Sequence, residues 1–272
     1  MTQHSVTVFG ATGKTGRHVA VDASARGWHV RAAGRRAPLE PFDWDDERTW
    51  TTAARGSDAA YVLIPFNHPG APERTPALLE AIAAAGVGRI VLLSSLDVIE
   101  APPDSPLRQA EDTLFTLPIA TAALRPTWFL DNFTHGSFAG MVDSGELRLP
   151  AGEGRIPFVD ARDVAAVGVA ALAPDGPTGP LPITGPAALT HDELAAALTA
   201  GLGREVTYTP VPTAEFVEQM VARGFTADYG TFLAEALTRV ATGELTIPVH
   251  DTVPRFVGRA AYSALEFARH YA

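Results

Sequence analysis

The sequence predicts an α/β protein: a doubly wound parallel sheet followed by a smaller, helix-rich C-terminal lobe. Three observations carry this. A glycine-rich turn, Gly10-Ala11-Thr12-Gly13-Lys14-Thr15-Gly16, joins the apolar run Ser5–Phe9 to a helical pattern running from Lys14 to Arg26. Short apolar runs then alternate with helical patterns as far as Leu181–Gly185. Beyond that point helical periodicity takes over, which is how a sheet domain with an appended lobe reads.

The first turn sets the chemistry. Its backbone N–H groups and the partial positive charge at the following helix start suit a pyrophosphate. The missing Cβ atoms let the backbone bend tightly and approach a ligand. The spacing is G-x-x-G-x-x-G rather than G-x-G-x-x-G, so the strand before it and the helix after it distinguish it from a bare turn. Gly13-Lys14-Thr15 imitates the end of a nucleoside-triphosphate loop, but that loop needs a glycine where this chain has Val8. The expected cofactor contacts here are Gly10, Thr12, Gly13, Lys14, Thr15 and Gly16.

Gly27 ends the first helix and His29–Ala33 reads as the second strand. Where an NAD-preferring site carries an acidic residue for the ribose hydroxyls, this chain has Gly34-Arg35-Arg36. Two guanidiniums match a 2′-phosphate, which points to NADP(H); two solvated surface arginines are the other reading. Phe42–Asp46 reads as a third short strand and turn near the adenine, or as a solvated acidic loop. Ala59–Ile64 is a continuous apolar run suited to a strand buried on both faces. It ends at Pro65-Phe66, where Ile64 and Pro65 would border the cofactor. Thr75-Pro76 reads as the start of a helix. Arg89–Leu93 and Ala120–Leu124 are the next strands, Asp160 precedes a helix over 161–172, and Thr190 with Glu193 forms a capping-box pattern. Helical segments follow at 214–223 and 227–242. The expected division is 1–186 for the nucleotide-binding domain, with 127–156 reaching toward the lobe, and 187–272 for the lobe. The default substrate site is the cleft between them.

Composition excludes several classes. A chain of 272 residues with a formal charge of −10 is a poor ligand for nucleic acid or acidic membranes. No stretch approaches the ~18 apolar residues of a membrane span, and Met1–His4 does not resemble a secretory signal. The absence of cysteine excludes disulfides and thiolate chemistry. These features suit a cytoplasmic protein with a small-molecule substrate; monomer and homodimer stay open. Lys14 is the sole lysine. The reductase pair Tyr-x-x-x-Lys is therefore absent, Gly136–Gly140 has the wrong spacing for a nucleophile elbow, and the histidines show no metal-binding pair. No metal is expected.

What remains is a dinucleotide site without an evident proton donor. Either the acceptor needs no acid, as with an iminium ion or a quinone, or the cofactor is bound without being turned over. Orientation of such an acceptor would fall to aromatic and polar residues at strand ends: Phe66, Trp128 and Phe129, with Ser94, Ser95 and Asn132 as hydrogen-bonding groups. The other reading of Trp128 and Phe129 is core, and of the serines strand terminators. Asp131 and Glu111 are further polar candidates.

These pieces, together with Phe42-Asp43-Trp44, Leu92–Ser95, Leu124–Phe129, Asn132-Phe133, Gly154–Val159 and the late stretch from Thr184 to Arg204, resemble the NmrA-like branch of the atypical short-chain dehydrogenase/reductases. Within it the chain is most similar to the agroclavine-dehydrogenase-like ergot-alkaloid reductase group. The resemblance implies a Rossmann fold, NADP(H) and a reductase of secondary metabolism acting on an iminium. Members of the branch also reduce quinones or triphenylmethane dyes, and others are cofactor-sensing regulators. A redox sensor acting through a protein partner is therefore the alternative expectation, and a non-redox isomerase a third.

Overall fold

A computed structural model describes residues 3–36, 38–65 and 68–272. Their contacts group them into two compact units that interleave along the chain rather than meeting at a single cut. Unit 1 takes residues 1–127, 161–183 and 251–259; unit 2 takes 128–160, 184–250 and 260–272.

Unit 1 is a parallel sheet. Among the described residues it has seven strands: β1 (Ser5–Phe9), β2 (His29–Gly34), β3 (Glu40–Pro41), β4 (Ala59–Leu63), β5 (Arg89–Leu93), β6 (Ala120–Pro126) and β8 (Gly179–Ile183), ordered β3-β2-β1-β4-β5-β6-β8. The order reverses at β1, which pairs with both β2 (Val8↔Ala32) and β4 (Val8↔Tyr61). Open sheets bind ligands at such a switch point, beyond the carboxyl ends of the strands. The expected doubly wound Rossmann sheet is what the chain forms.

Helices cover both faces because the strands are apolar on both. On one face α2 (Arg48–Ala54), α3 (Ala71–Ala84) and α4 (Pro106–Thr116) enclose Phe9, Val62, Ile90 and Leu92, with Leu79 of α3 in the same core. On the other, α1 (Gly16–Ala25) packs with α6 (Ala161–Leu172). Gly168 of α6 leaves the space there: a Cβ on it would stand 3.2 Å from Leu124 and 3.5 Å from the Tyr61 ring.

Two readings need correction. The helix expected to begin at Thr75-Pro76 begins at Ala71, and Pro76 lies inside it. Pro72 is the proline of the first turn, and the Thr75 hydroxyl donates to Ala71 O at 2.9 Å. Pro76 lies past the first turn, so it removes the N–H that would bond to Pro72 O and crowds that carbonyl. The third strand is Glu40–Pro41, not Phe42–Asp46. There the chain already turns toward α2: Asp43 N donates to Thr49 Oγ1 at 3.0 Å, and Trp50 Nε1 donates to Asp43 O at 2.8 Å.

Unit 2 has its own core, formed by Leu130, Phe133, Phe138, Leu149, Phe158, Leu194, Phe216, Leu237 and Phe267. Its helices are α5 (Ala139–Asp143), α7 (His191–Leu202), α8 (Thr213–Ala222), α9 (Ala227–Ala241) and α11 (Ala264–His270), while α10 (Thr252–Val257) belongs to unit 1. The expected capping box of Thr190 and Glu193 is present. Sequence patterning missed a parallel pair of strands in this unit, β7 (Glu146–Leu149) with β9 (Thr207–Pro210). Each is four residues long, too short for alternation to be recognised. No helix among the described residues is long and apolar enough to cross a membrane.

Candidate functional site

The glycine loop sits at the switch point, directly after β1. Gly10 has φ 91°, which only glycine adopts without strain, and its carbonyl accepts from Gly13 N at 2.9 Å. Helix α1 then starts so close to the loop that a Cβ on Gly16 would lie 2.1 Å from Gly10 O. One on Gly13 would lie 3.1 Å from the same oxygen and 3.2 Å from Leu63. A side chain is therefore excluded outright at Gly16 and strained at Gly10 by its positive φ, and the helix N-terminus the loop opens on favours an anion.

The structure separates the loop's polar residues by role. Thr12 is exposed and Lys14 half-buried. The Thr15 side chain instead points into unit 1: it is fully buried and its hydroxyl bonds to the Tyr61 hydroxyl at 2.7 Å. As a cofactor contact it has only its backbone to offer. Burial pushes the Tyr61 phenol well above its usual pKa, so the pair is a neutral hydrogen bond that ties the loop to β4. Sequence reasoning weighed Tyr61 only as a partner for a lysine and missed this tie.

Arg35 and Arg36 follow β2, are exposed, and form no side-chain hydrogen bond or ion pair with other described residues. Two unpaired guanidiniums at the end of β2 stand where a ribose phosphate would be read. Ile64 is 4% exposed and packs in the core with Phe9 and Val62, while Pro65 is half-buried. Phe66 lies outside the described residues.

The two serines after β5 differ. Ser95 caps a short 3-10 turn (Leu96–Ile99): its hydroxyl donates to Asp97 Oδ2 at 3.0 Å and accepts from Asp97 N at 3.4 Å. Its polar capacity is largely used locally. Ser94 is buried, its backbone N–H donates to Leu124 O at 2.8 Å, and its Oγ meets no partner. A buried hydroxyl left unsatisfied is costly, and at the carboxyl edge of the sheet it is the kind of group a ligand completes. The glycine cradle and this orphaned hydroxyl together fit a dinucleotide.

The polar candidate Glu111 is structural. It lies in α4, buried, and accepts from Arg125 Nε at 3.0 and 3.1 Å, with Nη2 closing the fork. Spacing along the chain gave no sign of this pair, because it joins a helix to the next strand.

In unit 2, Trp128 is half-buried and stacks on Phe138, with ring centroids 6.3 Å apart and 7° between planes. Phe129 is bridged to Val159, and Val159 N donates to Trp128 O at 2.9 Å. Asn132 is half-buried in a 3-10 turn (Leu130–Phe133), and its carbonyl accepts from Phe138 N at 2.9 Å. Asp131 is buried in the same turn. Asp43, Asp45 and His68 of unit 1 bring donor atoms within 4.8 Å of one another. Arg74 pairs with Asp45 there and already supplies the positive charge that a metal ion would.

Comparison with known proteins agrees with this architecture. The chain is 32% identical over 258 residues to an NAD(P)H azoreductase of Xenophilus azovorans, covering 92% of this chain and 85% of that one. It is 27% identical over 289 residues to agroclavine dehydrogenase of Claviceps purpurea, covering 97% and 96%. Its fold superposes on that of an NADPH-dependent quinone oxidoreductase of Escherichia coli, solved in complex with NADPH, with a TM-score of 0.84 at 22% identity, over 97% of this chain and 99% of that one. Residues 2–242 match the model of the NmrA-like family. The chain belongs to the NmrA-like family.

Proposed function

We propose that this chain is an NADP(H)-dependent reductase of small electron-poor molecules of the iminium, conjugated or quinone-like class. The observation that carries the reading is the glycine cradle at the switch point, closed to any side chain by the 2.1 Å approach at Gly16. The 32% identity to an NAD(P)H azoreductase supports it.

In this reading Gly10, Thr12, Gly13, Lys14 and Gly16, with the Thr15 backbone, hold the diphosphate. Arg35 and Arg36 hold the 2′-phosphate, and Ile64, Pro65 and Ser94 border the nicotinamide. In the same reading Trp128, Phe129, Asn132, Phe66 and Ser95 are the residues that contact the substrate. Bound NADPH supplies a hydride. The protein's task is then to orient a flat acceptor and to keep water from it, through aromatic surfaces such as Trp128. The sole lysine lies in the glycine loop, so no tyrosine–lysine pair prepares a proton. Acceptors that already carry positive charge, or whose reduced form is a delocalised anion, need none.

The test is NADPH oxidation, followed by absorbance, against cyclic iminiums, quinones, azo dyes and cationic triarylmethane dyes, with NADPH binding measured alongside. Turnover on one class establishes the reductase and its acceptor. Binding without turnover on any class replaces it with a cofactor sensor.

A further inference from the structure

Besides Ser94 Oγ, after the carboxyl end of β5, unit 1 buries two further hydroxyls without a partner among the described residues: Ser5 Oγ at the amino end of β1 and Thr127 Oγ1 after the carboxyl end of β6. Thr127, the residue after β6, is 6% exposed, as is Ser94 after β5, and neither Thr127 Oγ1 nor Ser94 Oγ has a hydrogen-bond partner among the described residues. Both backbones are firmly tied. Ser94 N donates to Leu124 O at 2.8 Å, and Thr127 N donates to Ile183 O at 3.0 Å, which continues the β6–β8 ladder one residue further.

The register places the two residues together. β5 and β6 run parallel with Leu92↔Ala123 and Leu93↔Leu124, so the next level pairs Ser94 with Arg125. Side chains alternate along a strand, and Thr127 therefore shares the face of Arg125 and Ser94. That is the α4 face, because Arg125 reaches Glu111 of α4 from it. Arg125 is satisfied by that carboxylate; the hydroxyl of Ser94, level with it on the adjacent strand, and that of Thr127, two residues further along its own chain, are not. Folding has hydrogen-bonded the surrounding polar backbone and left these two hydroxyls, on adjacent strands, at the edge where open α/β sheets take their ligands.

We propose that Ser94 and Thr127 together seat the carboxamide of the nicotinamide, a role that rests on the NADP(H) reading above. A hydroxyl both donates and accepts. Two of them match the two ends of a primary carboxamide, one accepting from its N–H and the other donating to its C=O. Binding would then supply the partners that the ligand-free fold lacks and would fix which face of the ring is presented.

Thr127→Val and Ser94→Ala remove each hydroxyl with little change of shape. Affinities for NADP⁺ and for 2′-phospho-ADP-ribose, which is the same molecule without its nicotinamide, are measured for both variants, together with the thermal midpoint of the free protein. The expected result is a loss of about 3- to 10-fold for NADP⁺, no loss for 2′-phospho-ADP-ribose, and a midpoint unchanged or raised. Equal losses for the two ligands, or no loss for either, overturns the proposal. So does a midpoint lowered by both substitutions, which makes the hydroxyls structural. A wild-type protein that binds neither ligand overturns the NADP(H) reading itself, and is seen before any substitution is made.

Discussion

Each unit buries ionisable side chains, and two sets of them contrast. In unit 1, charges leave water in company. Glu111 holds Arg125, the fully buried Asp163 holds Arg259 at 2.6 Å, and Arg89 donates to the carbonyls of Ala171, Pro174, Gly176 and Pro177. Unit 2 closes its core around an imidazole. His191 is fully buried, its ring nitrogens have no partner among the described residues, and the rings of Phe133, Phe158 and Tyr208 stand 6.4, 5.4 and 5.5 Å from it. Burial alone lowers its pKa from 6.5 to about 4. A paired ion is vulnerable to losing its partner, whereas a lone buried base is vulnerable to gaining a proton. The buried pairs of unit 1 are thus sensitive to substitution, and His191 of unit 2 to acid.

The largest effect should come from the tightest backbone approach in unit 1. Gly16→Val forces the loop away from the start of α1, and detectable NADPH binding should vanish in a calorimetric titration. Binding retained at the wild-type level would mean that the cradle is not the cofactor site. Next is the buried pair. Glu111→Ala leaves the Arg125 guanidinium, 19% exposed, without its carboxylate, at a cost of about 3 kcal/mol read from denaturant unfolding. The double change Glu111→Leu with Arg125→Met should recover most of that. If it recovers none, the pair is doing something other than neutralising a buried charge.

For unit 2 the direction of the pH effect follows from where the proton goes. The unfolded imidazole titrates near 6.5 and the folded one near 4, so between these values the unfolded chain takes up a proton that the fold excludes. Stability is complete above pH 6.5 and falls as the pH drops toward 4, by about 3 kcal/mol over the interval. His191→Leu should remove that part of the slope; an unchanged slope would assign the acid sensitivity elsewhere. The smallest effect concerns a departure from pairing within unit 1. Arg35 and Arg36 are exposed guanidiniums without a carboxylate among the described residues, and a ligand phosphate would complete them. Arg35→Ala and Arg36→Ala should each reduce the preference for NADPH over NADH by about 10-fold. Equal loss for both cofactors would make them general anion attractors.

Much of unit 1 was legible in the chain because its signals are short-range. β1 was expected at Ser5–Phe9 and α6 over 161–172, and both have those bounds, since an apolar run and a 3.6-residue period are written within a few neighbouring residues. The reading slipped where a local signal had two meanings. A threonine followed by a proline usually opens a helix, but Pro72 already occupied that place and Thr75 could satisfy Ala71 O from inside the helix. Adjacent serines after a strand look alike in sequence, yet Ser95 is engaged by Asp97 and Ser94 is not. Thr127 could have been noticed by the criterion used for Ser94, a hydroxyl just past a strand, but its burial could not.

The sequence by itself determined the main strands of the parallel sheet, the glycine cradle and the family, because each depends on residue types at fixed short spacings. Only the tertiary structure decided which polar side chains are free for a ligand. It turned Thr15 inward to Tyr61, locked Glu111 onto Arg125, and left Ser94 and Thr127 unpartnered on one face. It also paired β7 with β9 and enclosed His191 among three aromatic rings. A hydrogen bond or a buried charge depends on which atoms meet, and those atoms come from segments far apart in the chain, brought together by the sheet register and the two cores.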